Sequence, residues 1–362
     1  MIGWTLGRYI FLRYLTSIAA FLAGLGSLIF IVDFTQLNER AGSLPQFTLG
    51  LGLMISAFRV PMVLIQVVPF VALFGSMALL IQLNRRYELV VARAVGLSAW
   101  QFLFPACLAA LLYGCLTVAV LNPLAAYGFA KAEAIEVDWK TTRSRTITAL
   151  KDPWLRQTTA DGDTIIGARN VLNNGAVLVS PVFLRLDEDG NIGSRVDAAR
   201  ATLGAKEWLL TDAVVSRQGN APESYSRFAI PTNFTSELVQ ERLQRPETIP
   251  FFELPSKIAV AKALGVSSDG FAMQFHSMAA LPALVTIMTL IAATVSLKFV
   301  RFGQSAAMVL GGILAGFMLY VISVLVKAFG SSGLVPPYVA AWFPVIVAFL
   351  FGVSFLLHKE DG

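Results

Sequence analysis

Charge is scarce in this chain. Asp, Glu, Lys and Arg make up 14% of its 362 residues and hydrophobic residues 56%, whereas soluble domains are about a quarter charged. A protein of that composition belongs in a membrane. Cysteine is nearly missing: Cys107 and Cys115 share one apolar run and read as packing residues, which leaves no disulfide framework and no cysteine metal site. The two histidines, His276 and His358, fall beside different apolar runs and share no motif; His276 reads as an interfacial anchor. GxxxxGK[ST], HExxH and GxSxG are all missing, so no catalysis by this chain alone is expected. The net charge is +5, but the basic residues are scattered and form no stripe with interleaved aromatics, which argues against nucleic acid as a partner.

What is present is a set of long uncharged runs. Val60 to Leu83, Ala94 to Ala130, Ser277 to Leu297, Phe302 to Val326 and Ala328 to Leu357 each lack any charge, over a length near the roughly 20 residues a spanning helix needs. Leu15 to Val32 becomes a sixth if Ile10 to Tyr14 joins it with Arg13 snorkelling. Arg8 and Arg13 precede an apolar run longer than a signal core, and no small-x-small cleavage site follows, so the segment is expected to be retained. Ionisable groups at mid-depth are lacking, since Asp33, Arg59 and Lys327 fall at run ends. Coupling to protons or sodium normally needs such groups inside the membrane. Energy for any active transport must then come from an ATP-hydrolysing partner on the cytoplasmic side.

Orientation follows from the short loops, because Lys and Arg accumulate inside. Arg8 and Arg13, then Arg85, Arg86 and Arg93, then Lys298 and Arg301, then Lys359 would all be cytoplasmic, and so would both termini. Residues from about Lys131 to Asp269 would lie outside. There 17 of the 28 basic and 18 of the 23 acidic residues concentrate, which marks a soluble insert. Asp161-Gly162, Asn174-Gly175 and Asp189-Gly190 punctuate strand-like segments such as AVLVSPVFLRL and WLLTDAVVSR, predicting an antiparallel sandwich or open roll. Such a sheet either binds an acyl chain or serves as a spacer. The insert ends in FFELPSKIAVAKALG, where Leu254, Ile258, Ala261 and Leu264 recur at helical spacing. The expected organisation is therefore 1–130 (three spans), 131–270 (outside β-domain with an amphipathic helix) and 271–362 (three spans).

Between the second and third runs stands NRRYELVVARAVGLSAW, residues 84–100, three arginines and one glutamate in a short stretch. Asn84 is a candidate N-cap and Glu88 suits the first turns. Arg85 to Val95 would make about three turns in the interface plane. Leu89, Ala92 and Gly96 would give an apolar, small-residue face, with Arg85, Arg86, Glu88 and Arg93 presenting charge. Such a helix either lodges in a groove of an ATPase or is an ordinary positively charged loop.

RRYELVVARAVGLS resembles the coupling-helix signature of the lipopolysaccharide-export permeases, the LptF/LptG family, whose members carry a similar S-E-L-V-V-x-x-A-x-G run; Tyr87 stands where that run has its serine. VPMVLIQVVPF with Pro61 and Pro69, IVDF, PTNFT and GLVPPYVAAWFP resemble other parts of the family, and the chain is more similar to LptG than to LptF. The resemblance implies six membrane helices with a periplasmic β-jellyroll between helices 3 and 4, in the bacterial inner membrane. It implies an LptF-like sister permease, an LptB-like ATPase dimer that binds the ATP and Mg, an LptC-like membrane-tethered bridge, and no cofactor in this chain. It also implies extraction of lipopolysaccharide from the inner membrane and its passage toward the outer membrane, with the first and fifth helices as lateral gates. By that likeness the coupling helix, 84–98, contacts the ATPase through Arg85, Arg86, Glu88, Leu89, Val90, Ala92, Arg93 and Gly96.

Lipid A phosphates call for Lys or Arg at the outer surface above an apolar cavity. Arg40, Arg59, Lys131 and Lys327 are the candidates, each also readable as an interfacial anchor. Family members often carry lysines around the end of the first helix, where this chain has Phe34 after Asp33 and only Glu39-Arg40 beyond, so Arg40 is the foremost candidate. The competing reading is a membrane-anchored scaffold or assembly protein whose β-domain binds partners and which has no use for the Glu88 helix.

Overall fold

The computed structural model describes residues 4–42, 47–141, 154–159, 162–168, 170–172, 177–186, 191–204, 206–217, 221–232, 246–263, 267–296 and 306–361. The helices are α1 Trp4–Ala41, α2 Leu49–Arg85, α3 Glu88–Ala94, α4 Ala99–Leu116, α5 Asn122–Thr141, α6 Leu254–Ala263, α7 Asp269–Ser296, α8 Ala306–Ser331 and α9 Pro337–Asp361; a π turn, Thr117–Leu121, carries α4 into α5. Six stretches are long and apolar enough to cross a membrane: α1, α2, α4 with α5 to Ile135, α7, α8 and α9. The described residues fall into two compact units, one within Met1–Ala132, Pro246–Ile258 and Ser268–Gly362, the other within Glu133–Arg245 and Ala259–Ser267.

Several helices outrun their uncharged cores. The α2 run starts at Val60 by charge, yet the helix begins at Leu49, where the Thr48 hydroxyl accepts the Leu51 N–H and serves as N-cap. Its 37 residues span about 55 Å at 1.5 Å per residue, well beyond a hydrocarbon core of about 30 Å. Packing inside this unit relies on small residues that let backbones approach. A Cβ on Gly114 of α4 would sit 2.5 Å from Pro282 Cα of α7, and one on Gly128 of α5 would sit 2.7 Å from the Phe58 carbonyl oxygen of α2. Three spans are also joined by a buried polar knot. Thr289 Oγ1 of α7 donates to the Val285 carbonyl at 3.2 Å, lies 2.8 Å from the Tyr14 hydroxyl of α1, and receives the Ser76 hydroxyl of α2 at 3.0 Å. All three side chains are fully shielded, so each hydroxyl needs such a partner.

The second unit carries one curled antiparallel sheet of strands β1 Trp154–Thr159, β2 Gly162–Gly167, β3 Asn170–Leu172, β4 Val177–Val179, β5 Val182–Leu186, β6 Ile192–Asp197, β7 Arg200–Leu203, β8 Glu207–Arg217 and β9 Glu223–Pro231. Its logic is simpler than nine strands imply. β2 with β3, β4 with β5 and β6 with β7 are halves of long bent strands that keep one register through each bend: Gly167↔Val182 continues as Asn170↔Val179, and Val182↔Asp197 as Val179↔Arg200. The stretch AVLVSPVFLRL thus contains two strands, broken at Ser180-Pro181, where Ser180 takes φ 48. The bends line up across the sheet: Ser180 N–H donates to the Ala199 carbonyl and Ala199 N–H to the Thr211 carbonyl, next to Asp212 at φ 54.

The bends at Ser180 and Asp212 flip the side-chain parity. Trp208 and Leu210 are buried before Asp212, Ala213 and Val215 after it. A straight strand would turn half of these outward; the bend at Asp212, which leaves the register unbroken, keeps them on the inner face with Ile166, Leu178, Phe183, Val196, Ala201 and Ile230. First and last strands meet at one point, where buried Gln157 of β1 donates to the Pro231 carbonyl at 3.1 Å and accepts from Thr232 at 2.6 Å. Of the expected turns, Gly162 sits at φ 106 opposite Thr159; Asp161, Asn174-Gly175 and Asp189-Gly190 lie outside the described residues. At the end of the insert Leu254 and Ala261 are buried on α6; Leu264 is outside the described residues.

Candidate functional site

The charged segment between α2 and α4 forms a tighter structure than its sequence predicts. Asn84 and Arg85 are the last residues of α2, and Asn84 is no N-cap: its carbonyl accepts the Tyr87 N–H at 3.0 Å. Tyr87, at φ 61, reverses the chain. The helix that follows, α3, has 7 residues, about two turns. It ends in a Schellman motif: Gly96 at φ 87 donates to the Arg93 carbonyl at 2.9 Å, and Leu97 donates to the Ala92 carbonyl at 3.1 Å. Gly96 therefore serves the turn by its left-handed backbone and not by lying on a small-residue face. Ser98 and Gln101 then form a reciprocal capping box that starts α4.

Glu88 is not free. Its carboxylate accepts from the Tyr9 hydroxyl of α1 at 3.0 and 3.2 Å. Arg13 lies over the Tyr9 ring, 5.0 Å from its centroid, and donates to Gln82 Oε1 at 3.4 Å. The first helix, the end of the second and the start of α3 are thus tied by one chain of polar contacts. Leu89, expected on the contacting face, is instead only 6% exposed and packs in the helical core, so a partner on the surface of α3 cannot reach it. Its burial in the helical core holds α3 against α2.

The surface that remains open is different from the expected one. Tyr87 is 63%, Val91 61% and Val95 78% exposed, at spacings of four that put them on one side of α3. Arg85, Arg86 and Arg93 are exposed around them, while Val90 and Ala92 are half-buried. An apolar stripe rimmed by cations has the composition of a protein-docking face. The Tyr87, Val91, Val95 spacing was legible in the sequence; the pairing of Tyr9 with Glu88, far apart in the chain, carried no local signal.

The four expected phosphate cations stand in different surroundings. Arg40 is exposed in the last turn of α1. Arg59 follows Phe58, whose backbone packs on Gly128, and so lies near the turn of α5 that carries Lys131. Lys131 is exposed, with Nζ 4.6 Å from the centroid of the Tyr127 ring. Lys327 of α8 turns toward α7 and donates to Oε1 of buried Gln274 at 2.8 Å.

A family model described as "Lipopolysaccharide export system permease LptF/LptG" matches residues 8–358. No curated protein matches the chain.

Proposed function

The chain belongs to the LptF/LptG family of lipopolysaccharide export permeases, a multi-pass inner-membrane family, and from that premise we propose that it is the LptG-like permease subunit of an ATP-driven export complex. In this reading α3 is the coupling helix and docks on an LptB-like ATPase dimer that binds ATP and Mg. An LptF-like sister permease and an LptC-like bridge complete the assembly. The complex extracts lipopolysaccharide from the membrane and passes it toward the outer membrane. Both termini and α3 face the cytoplasm, and the curled sheet faces the periplasm.

The observation that carries the proposal is α3 itself: a two-turn helix locked at both ends, with an open Tyr87, Val91 and Val95 stripe and a glutamate tied to the first span. A push on that stripe has a direct route into α1 through Glu88 and Tyr9. The uncharged middles of the spans support an external energy source. At the opposite end Arg40 and Lys131 are the exposed cations for lipid A phosphates; Arg59 would join Lys131, and Lys327 would have to leave Gln274 to take part.

The test is co-purification of the chain and its sister permease with the candidate ATPase, comparing the unaltered chain with Val91→Asp and Glu88→Ala. A charge in the apolar stripe should cost about 2 kcal/mol or more of docking energy, a loss of more than tenfold in retained ATPase. Glu88→Ala should lower transport-coupled ATP turnover. Retention of the ATPase at unaltered levels by Val91→Asp, or no retention by any version from intact membranes, would favour the scaffold reading.

A further inference from the structure

Beside the Tyr9, Arg13 and Gln82 contacts lies a cavity of about 480 Å³ lined by Ser17 of α1 and Ala78, Ile81, Gln82, Arg85 and Arg86 of α2. Its lining changes in character along α2. Ala78 and Ile81 supply an apolar wall, and Arg85 and Arg86 a cationic mouth. Both arginines are exposed, and among the described residues no carboxylate lies within ion-pair distance of either. Glu88, the acidic side chain of the neighbouring α3, is turned to Tyr9. Arg13, bonded to the lining Gln82, adds a third positive charge. The uncharged run of α2 ends at Leu83, so the two arginines stand where hydrocarbon gives way to headgroups.

A basic pocket between membrane helices at headgroup depth is a site for an anionic lipid. We infer that this cavity binds the phosphate of an anionic membrane phospholipid, with Arg85 and Arg86 on the phosphate and an acyl chain along Ala78 and Ile81. Guanidinium groups suit phosphate oxygens through paired hydrogen bonds. The site is built from this chain's residues alone; because Arg85 and Arg86 also rim the proposed docking face of α3, it is tested without the ATPase.

The test is lipid binding by the purified full-length chain without ATPase, with labelled phosphatidylglycerol as probe, phosphatidylcholine as the neutral comparison, and inorganic phosphate as a soluble competitor. Phosphatidylglycerol should be retained over phosphatidylcholine. The double variant Arg85→Gln/Arg86→Gln, on exposed side chains that do not threaten folding, should weaken it about 30-fold, at about fivefold per cation near a membrane surface. Ala78→Phe, which fills the apolar wall and leaves both arginines in place, should weaken it comparably; Ala78→Gly, which leaves the space open, should bind as the unaltered chain does. Equal retention of the two lipids, full retention by the double arginine variant, full retention by Ala78→Phe, or displacement by millimolar inorganic phosphate would each overturn the assignment. The last outcome would make this a soluble-anion site.

Discussion

Replacing Gly114 with alanine adds one methyl group at the closest helix contact described here. The new Cβ would stand 2.5 Å from Pro282 Cα, 3.1 Å from its Cβ and 3.2 Å from its N, where carbon atoms prefer about 3.5 to 4.0 Å. Backbone cannot rotate away as a side chain does, so α4 must withdraw from α7 by about 1 Å. Overpacking of this kind costs about 1–3 kcal/mol. Alanine returns up to about 1 kcal/mol of helix propensity, but less inside a bilayer, where the segment stays helical when packing is lost. The clash wins, and a net loss of about 1–2 kcal/mol is expected. Gly24→Ala on α1 is the control, since nothing lies within 4 Å of its added Cβ and propensity acts there unopposed. The assay is thermal unfolding of the detergent-solubilised chain, read by circular dichroism and by the monodisperse fraction after heating. A Gly114→Ala chain as stable as Gly24→Ala would refute the claim that backbone approach at Pro282 holds these helices together.

Thr289→Val removes the atom that Tyr14 and Ser76 share and should cost about 1–2 kcal/mol, given about 0.6–1.7 kcal/mol for a hydrogen bond between membrane helices; Thr289→Ser should restore most of the loss in the same unfolding assay, and a neutral Thr289→Val would show that the knot contributes nothing. Tyr9→Phe takes away the donor to Glu88 at an exposed position, so folding stability should move by less than about 0.5 kcal/mol. ATP turnover coupled to transport should fall about fivefold with the ATPase still bound, as expected for one partly solvated bond to a charged group; unchanged turnover would remove Tyr9 from the coupling path.

The membrane-spanning part was legible because its signal is long and continuous. Each of the six spanning stretches takes its apolar centre from one uncharged run, although Ala94–Ala130 starts in α3 and Ala328–Leu357 takes in the end of α8. Helix termini were less legible: the start of α2 at Leu49 is set by a Thr48 cap in a polar stretch that hydropathy does not weight. The strands of the insert were recognisable, but their bends were hidden, because a parity flip at Ser180 or Asp212 looks in sequence like a lapse in alternation. At α3 Glu88 stands in the first turn as expected, whereas Leu89 and Gly96 do not form the expected contacting face. Leu89 faces inward because α2 ends only at Arg85 and the Tyr87 reversal sets the phase of the helix, a rotation that spacing alone does not determine.

The sheet has a consequence for how the protein is made. Every described strand pairs with the strand next to it along the chain, and the bends leave the register whole. Closing one hairpin never has to wait for a distant segment, so the entropic cost of each step is that of a short loop. In the proposed orientation the insert is also threaded through the membrane between the spans that flank it. Its strands therefore leave the bilayer in the order in which they pair, and each newly exposed edge meets its own successor before it meets another chain.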